Sequence, residues 1–193
     1  MKKPLILVTN DDGITAPGLR ALIRFMNEIG EVVVVAPDSP QSGMGHAITI
    51  NNTLHISKVS IDDKNGGSQE YSCSGTPADC VKIGLQEILD RRPDICISGI
   101  NHGSNSSINV IYSGTMSAAV EGAIEDIPSI GFSLDDFSLD ELSDLEIDYI
   151  RLNKDYCTNI NDDRVRKHAV KSIILYGEMN NIYVLGDMIK SDE

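Results

Sequence analysis

The sequence predicts an α/β domain built on a mostly parallel sheet with helices on both faces. Two observations carry this prediction. Apolar runs typical of strands buried on both faces recur along the chain, as in residues 4–9 (PLILVT) and 31–36 (EVVVVA). Stretches with apolar residues at helical spacing separate such runs. Strands that alternate with helices of this length imply βαβ crossovers.

The first crossover helix is predicted over residues 17–29. Thr15 is a candidate N-cap, and Gly30 stands where the helix should stop. The residues that supply the helical spacing are Leu19, Leu22, Ile23, Phe25, Met26 and Ile29.

The same alternation continues in the middle of the chain. The further predicted elements are a helix opened by Thr76 and Pro77 and running through Ile88, a strand over 94–98 (DICIS), a helix from Thr115 to about Ile124 capped by Ser113, and a strand over 127–132.

Two segments depart from this alternation. Residues 48–73 mix single apolar residues with polar ones and with turn-forming asparagine and glycine, which predicts short antiparallel strands inserted into the α/β domain. From Leu134 onward the pattern changes again. There DELSDLEIDYIRL fits a helix, and SIILY and NIYVLG fit two strands joined by a turn over residues 177–181. We therefore expect a core over 1–133 and a shortened or divergent C-terminal segment over 134–193.

Composition limits the function classes. The chain has 193 residues and 41% hydrophobic content, which suits one sizeable core. Its net charge of −13 repels nucleic acid and anionic lipid. No apolar run approaches the ~20 residues of a membrane helix, and no signal peptide is recognisable, so we expect a cytoplasmic protein. If it handles phosphates, a divalent metal could supply the missing positive charge.

The four cysteines are expected to be reduced core thiols. They form no C-x-x-C pair, and they lie in or beside apolar segments, which does not suit zinc ligands or disulfides. They are Cys73, Cys80, Cys96 and Cys157.

Polar residues gather in three loops that follow predicted strands. Ligands of open parallel sheets bind at this carboxyl edge. The loops contain, in order, Asn10, Asp11, Asp12 and Gly13; Ser42, Gly43, Gly45 and His46; and Gly99, Asn101, His102, Gly103, Ser104 and Asn105, which lead on to Ser113, Gly114 and Thr115. Carboxylate, hydroxyl and amide oxygens suit a hard cation such as Mg²⁺, Mn²⁺ or Ca²⁺. The start of the last helix could hold a phosphate.

Each of these signals has a plainer interpretation. Asp11, Asp12 and Gly13 could form only a turn with a capping acid, and Ser113 could be only an N-cap. His46 and His102 could each donate to a phosphate or protonate a leaving group, or could merely hydrogen-bond their own loops.

Five motifs in order resemble the SurE (survival protein E) family of metal-dependent 5′/3′-nucleotidases. They are VTNDDG, APDSPQSGMGHAIT, SGTPADCV, SGINHGSN and YSGTMSAAVEGA, and together they cover about residues 4–133. The resemblance implies a Rossmann-like domain that hydrolyses nucleoside monophosphates with one divalent cation, most simply Mg²⁺ or Mn²⁺. It also implies short polyphosphate as a secondary substrate, and a homodimer or homotetramer.

By motif match, the resemblance places the metal ligands at Asp11, Asp12, Ser42 and Asn101, with the two aspartates also catalytic. The residues that match the phosphate pocket are Asn10, Gly43, Asn105, Ser113, Gly114 and Thr115. The SGTPADCV motif is expected to contribute packing and one pocket wall, through Gly75 and Thr76.

The sequence also bears on two other function classes. A non-catalytic nucleotide or phosphate binder remains open, since an altered tail could have removed part of the site. A Rossmann-type oxidoreductase lacks support, because no G-x-G-x-x-G follows the first strand.

Overall fold

A computed structural model describes residues 3–61, 67–103, 105, 107–134, 170–175 and 183–185. The strands are β1 (Leu5–Thr9), β2 (Glu31–Pro37), β3 (Ile56–Val59), β4 (Gln69–Cys73), β5 (Ile95–His102), β6 (Ser129–Leu134), β7 (Val170–Leu175) and β8 (Tyr183–Leu185). The helices are α1 (Pro17–Ile29), α2 (Pro77–Ile83), which a π-helical segment (Gly84–Ile88) continues, a 3₁₀ segment (Ser107–Tyr112) and α3 (Gly114–Ile124).

The strands form one sheet in the order β3-β4-β2-β1-β5-β6-β7-β8. The six inner strands are parallel, while β3 and β8 pair antiparallel at the two edges. From β1 the chain first builds outward through β2 and β4, then returns to β5 on the other side of β1. The strand order therefore reverses between β1 and β5, and such a switch point opens a crevice for ligands at the carboxyl edge.

Alternate residues of the strands face opposite layers of the core. Ile6 and Val8 of β1 pack in the cluster that contains Leu19 and Leu22 of α1. Leu5 and Leu7 pack in the second cluster, with Cys80 of α2 and Ala118 of α3. Each large apolar side chain that is fully buried in this way contributes about 1.5–3 kcal/mol to folding. The predicted parallel sheet with helices on both faces is confirmed.

The start of α1 differs from the prediction. Ala16 is the N-cap residue and makes no side-chain hydrogen bond to the helix, so the assignment of Thr15 as cap was wrong. Pro17 takes the first helical position, where its missing N–H costs nothing and its fixed φ favours the helix. Gly30 ends the helix as predicted, and its N–H donates to Met26 O at 2.9 Å.

The predicted insertion over residues 48–73 was only partly right. Just β3 is an antiparallel addition, because β4 pairs in parallel with β2 inside the main sheet. The sequence of β4, QEYSC, places an acid, Glu70, inside this sheet. That carboxylate is buried and accepts from Arg20 of α1 at 2.8 Å.

Strand β5 extends four residues beyond the predicted end at Ser98. Gly99, Asn101 and His102 were expected in a loop but lie on this strand. The pairing of β5 with β6 shifts register between Ser98 and Asn101, so the strand continues irregularly. A bulged strand end of this kind re-aims side chains and is common beside functional sites.

The other boundaries are close to those predicted. Strand β6 begins two residues later than expected, and β7 with β8 confirms the two strands of the C-terminal segment as an antiparallel pair. The helix predicted from DELSDLEIDYIRL and the turn over 177–181 lie outside the described residues.

Two further predictions concern the cysteines and membrane-spanning helices. Cys73, Cys80 and Cys96 are buried free thiols, as predicted, and Cys157 lies outside the described residues. No described helix has the length and apolar character that crossing a membrane requires.

Candidate active site

The carboxyl end of β1 brings Asp11 into contact with the start of α3. The Thr115 hydroxyl donates to Asp11 Oδ1 at 2.5 Å, and both residues are buried. The Asp11 carbonyl also accepts from the Gln41 N–H at 2.7 Å, from the loop that follows β2. Asp11 is therefore tied to two of the elements that the sequence placed at this edge.

Asn10 is fully buried directly before Asp11. Its side-chain amide donates to Gly13 O at 3.0 Å, which holds the turn after β1. Gly13 adopts φ +102°, a conformation that favours glycine. Asn10 Oδ1 has no hydrogen-bond partner among the described residues, so this edge contains a buried acceptor open to a further donor or a cation.

Asp12 joins the ends of β1 and β5 across the switch point. Its Oδ2 accepts from the His102 N–H at 3.3 Å. Burial raises the pKa of both Asp11 and Asp12; the Thr115 hydrogen bond partly offsets this for Asp11, and the neighbouring Asp12 charge adds to it. A cation between these carboxylates would offset the cost of burying them.

Two asparagines of the third predicted loop lie at the same edge. Asn101 is nearly buried on β5, and its amide nitrogen donates to Gly103 O at 2.7 Å. Asn105 is buried, and its amide nitrogen donates to Ser133 Oγ of β6 at 2.7 Å. These hydrogen bonds set the orientation of both amide groups.

The start of α3 packs directly on Asp11. Ser113 is the N-cap, and its hydroxyl accepts from the Met116 N–H at 3.1 Å. A Cβ at Gly114 would come within 2.6 Å of Asp11 Cβ, so only glycine fits there. The first N–H groups of a helix have no partner inside the helix and carry partial positive charge. The N-terminus of α3 therefore begins beside the carboxylates with donors suited to an anion.

Residues 38–46 form what we call the Ser42 loop. The Gln41 N–H of this loop donates to the Asp11 carbonyl. Four residues later, the Gly45 N–H donates to Tyr112 O at 3.1 Å. Ser42 itself is exposed, and Gly43 adopts φ +75°. The loop thus lies between the end of β1 and the start of α3. The assignments of Ser42 as a metal ligand and Gly43 as a phosphate contact stay predictions.

The two loop histidines differ in their surroundings. His46 Nε2 lies 2.8 Å from Glu121 Oε2 on α3, so this ring is held by a carboxylate of the protein. His102 is exposed, and its main-chain N–H supports Asp12. The contact given for His46 reaches α3 rather than its own loop, and a role of either histidine toward a phosphate or a leaving group stays a prediction.

The sequence interpretation missed two buried acids near this edge. Glu121 contacts both His46 and Lys82. Asp79 forms a capping box with Thr76 and also accepts from the Thr49 N–H and hydroxyl. The signal for Glu121 was a single charge within the small and apolar run MSAAVEGAI. The signal for Asp79 was its place three residues after Thr76.

The donor set favours a hard cation. Two carboxylates and an asparagine lie at the ends of the neighbouring strands β1 and β5, with the hydroxyl of Ser42 on the adjoining loop. Such oxygen ligands suit Mg²⁺ or Mn²⁺. Across the described part of the chain, no group of three or more His, Cys, Asp and Glu residues is placed to hold a metal ion.

Fold and site together define a class: a doubly wound α/β protein with paired carboxylates and a helix N-terminus at the switch point of its sheet. The chain belongs to the SurE family. The family model described as survival protein SurE matches residues 6–182. This match includes much of the C-terminal segment, which the five motifs alone did not reach.

Relatives and a solved structure agree with this assignment. The chain is 74% identical over 138 residues to the 5′-nucleotidase SurE of Christiangramia forsetii, covering 72% of this chain and 53% of the relative. It is 72% identical over 137 residues to that of Flavobacterium psychrophilum, covering 71% of this chain and 52% of the relative.

The crystal structure of the SurE protein from Aquifex aeolicus is similar to this chain with a TM-score of 0.72 and 35% identity. The similarity covers 91% of this chain and 67% of that one. The chain spans about half the length of the curated relatives it matches.

Proposed function

We propose that this chain carries the core of a metal-dependent phosphomonoesterase, a nucleotidase that hydrolyses nucleoside 5′- and 3′-monophosphates to nucleoside and phosphate. The name 5′-nucleotidase SurE of the relatives supports the 5′ activity. The observation that carries the proposal is the contact of Asp11 with Thr115, which sets paired carboxylates against a helix N-terminus. Activity on 3′-monophosphates and short polyphosphate rests on the family resemblance.

One divalent cation, Mg²⁺ or Mn²⁺, would be held by Asp11, Asp12, Asn101 and Ser42. When bound, it would polarise the phosphoryl oxygens and offset the negative charge of the protein around them. The residues present fit such an ion because all four offer oxygen atoms. Burial also disfavours the charged forms of Asp11 and Asp12, and a bound cation would offset that penalty.

The phosphate would lie against the N-terminus of α3. There the N–H groups of Gly114 and Thr115 would donate to the phosphoryl oxygens and stabilise the charge that develops in the transition state. Asn10, Gly43, Asn105 and Ser113 would line the same pocket. Since the buried neighbours of this helix start fix its position, the donors would need little reorganisation during the reaction.

Asp12 is the better placed carboxylate to orient or deprotonate the attacking water. Asp11 Oδ1 already accepts a short hydrogen bond from Thr115. The hydrogen bond that the structure gives the Asp12 side chain, from the His102 N–H, is longer, at 3.3 Å. The water oxygen would bond to phosphorus as the ester P–O bond breaks. The nucleoside oxygen would leave and take up a proton.

Further features belong to the same proposal. The core over 1–133 would carry the site, and the C-terminal segment over 134–193, whose strands β7 and β8 extend the same sheet, would contribute oligomer contacts. The working form would be a homodimer or homotetramer in the cytoplasm. The substrate would be a free nucleoside monophosphate.

The test is phosphate release from AMP, GMP and 3′-AMP with Mg²⁺ or Mn²⁺, repeated with a chelator. We expect release that needs the metal and is abolished by the chelator. Nucleotide binding without metal-dependent release from any of the three would instead support the rival function, a non-catalytic nucleotide or phosphate binder.

A further inference from the structure

Glu121 is a buried acid on α3, the helix whose N-terminus lies against Asp11. Its side chain is 5% exposed. One carboxylate oxygen, Oε2, lies 2.8 Å from His46 Nε2, and the other lies against the Lys82 ammonium of α2. A carboxylate accepts hydrogen bonds, so the His46 ring nitrogen that faces it carries the proton.

The surroundings explain how this charge is tolerated inside the protein. A buried carboxylate needs a charged or hydrogen-bonded partner. Lys82 supplies the opposite charge, and its close ion pair with Glu121 raises the lysine pKa. Lys82 therefore compensates the charge of Glu121 from α2, which leaves the second oxygen of the carboxylate to hold His46.

The contact joins the far end of the Ser42 loop to α3. The loop is attached at Gln41, and again at Gly45 through the Tyr112 carbonyl. Between these points, Gly43 has open space around its Cα, since a Cβ there would meet nothing within 4 Å. Ser42, Gly43 and Met44 are exposed, and a hydrogen bond from Met44 N–H to Gln41 O at 3.3 Å spans them, so little packing holds this turn beyond its attached ends. His46 follows Gly45 and fixes that end through its side chain.

We infer that Glu121 is a positioning residue: through its contact with His46 it fixes the position of the Ser42 loop relative to the start of α3. The inference rests on the proposed function, because it gives the loop its importance as the carrier of the metal ligand Ser42. One helix would then organise both halves of the site, with its N-terminus beside Asp11 and the phosphate, and its third turn holding the loop.

The first test follows the loop without metal or substrate. Amide hydrogen exchange of residues 41–46 is compared in the wild type, His46→Ala and His46→Gln. The Gln amide nitrogen can replace His46 Nε2 as donor to Glu121, whereas Ala cannot. We expect about tenfold faster exchange in His46→Ala, the factor expected for a lost hydrogen bond to a charged group, and exchange within about twofold of wild type in His46→Gln.

The second test measures Mn²⁺ affinity and the steady-state constants for AMP. His46→Ala and Glu121→Gln should weaken Mn²⁺ binding about tenfold, as for the loss of an outer partner of a metal ligand. With Mn²⁺ subsaturating, kcat should fall more than KM rises. His46→Gln should again restore values near those of the wild type.

Glu70→Gln is the matched control for loss of a buried ion pair. It breaks the pair with Arg20 of α1, so it should lower the melting temperature but leave loop exchange and Mn²⁺ affinity unchanged. If Glu121→Gln fails to fold, His46→Ala carries the test, because His46 is partly exposed.

Wild-type exchange and Mn²⁺ affinity in His46→Ala, or equal changes in Glu70→Gln, would overturn the inference. Failure of the proposed function would look different. The wild type would release no phosphate, while loop exchange would still respond to His46→Ala.

Discussion

The hydroxyl of Thr115 donates to Asp11 Oδ1 at 2.5 Å, although the two residues are 104 positions apart in the sequence. This contact joins the end of β1 to the start of α3 and fixes one oxygen of the carboxylate. The family resemblance placed Thr115 in the phosphate pocket. The structure adds that its hydroxyl serves the carboxylate, so the part of Thr115 left to face a phosphate is its main-chain N–H.

Thr115→Val should weaken metal binding while preserving shape. The substitution removes the hydroxyl that donates to Asp11, and it leaves the buried Asp11 Oδ1 without this partner. By removing an interaction that lowers the Asp11 pKa, it should also raise that pKa further. We expect Mn²⁺ affinity to fall about tenfold to a hundredfold, measured by electron paramagnetic resonance of free Mn²⁺. Thr115→Ser keeps the hydroxyl and serves as the control. Equal Mn²⁺ affinity in the Val variant and the wild type would contradict this role.

Gly114→Ala should destabilise the protein, although alanine normally favours a helix over glycine. The new Cβ would come within 2.6 Å of Asp11 Cβ and 2.9 Å of Asp11 Oδ2. Overpacking of this kind costs about 1–3 kcal/mol, more than the helix propensity of about 1 kcal/mol returns. Urea unfolding should show the loss, and Mn²⁺ affinity should fall because Asp11 must move.

Gly67→Ala is the control for this substitution. Gly67 adopts φ +82° with nothing within 4 Å of an added Cβ. Its replacement should cost backbone strain while leaving Mn²⁺ affinity at the wild-type value. A Gly114→Ala protein that is more stable than the wild type would show that the carboxylate moves away freely.

Asp79 should stabilise the protein in a pH-dependent way. Burial tends to raise the pKa of Asp79, but hydrogen bonds from Thr49 and Thr76 outweigh it and hold the pKa below its usual value. A depressed folded-state pKa contributes stability that is present above the unfolded pKa of about 3.9 and is lost as the pH falls through the folded pKa. Asp79→Asn removes one acceptor oxygen and should cost about 2 kcal/mol at pH 7.

Urea unfolding of the wild type and of Asp79→Asn at pH 7 and near pH 3 checks this linkage. The difference in unfolding free energy should shrink at the lower pH. The comparison at each pH cancels the effects of Asp11 and Asp12, whose raised pKa values act in the opposite direction. Asp90→Asn, at an exposed position, should change little at either pH. A constant difference between pH 7 and pH 3 would rule out the proposed linkage.

Much of the fold was predictable because the residue pattern of each central element agrees with the burial of that element in the structure. The run LILVT is buried at every position, and α1 has apolar residues on one face. β4 was misplaced for a physical reason. Its Glu70 is buried, and its partner Arg20 lies 50 positions away on α1. A buried ion pair formed by tertiary structure cannot be recognised from the pattern of one strand.

The site was likewise predictable in part. The common location of Asp11, Asp12 and Asn101 was predictable, because the aspartates follow β1, Asn101 lies near the end of β5, and the sheet brings those strand ends together. Their roles as metal ligands stay predictions. The contacts that orient the site were not predictable. Glu121 reads as one acid in a helix, and only the packing of α3 beside α2 and the Ser42 loop gives it Lys82 and His46 as partners.

Asp11 gives the most direct test of the metal site. Burial raises the pKa of this carboxyl, which means that the charged form is costly without a cation. The neutral amide in Asp11→Asn should therefore leave the metal-free protein at least as stable as the wild type. Its thermal unfolding serves as the control that the fold is intact.

The measurement that tests the central claim is phosphate release from AMP in saturating Mn²⁺ by the wild type and by folded Asp11→Asn. We predict metal-dependent release by the wild type and a loss of at least about a hundredfold in the variant, because a ligand and its charge are removed. Release by Asp11→Asn at the wild-type rate would contradict the account.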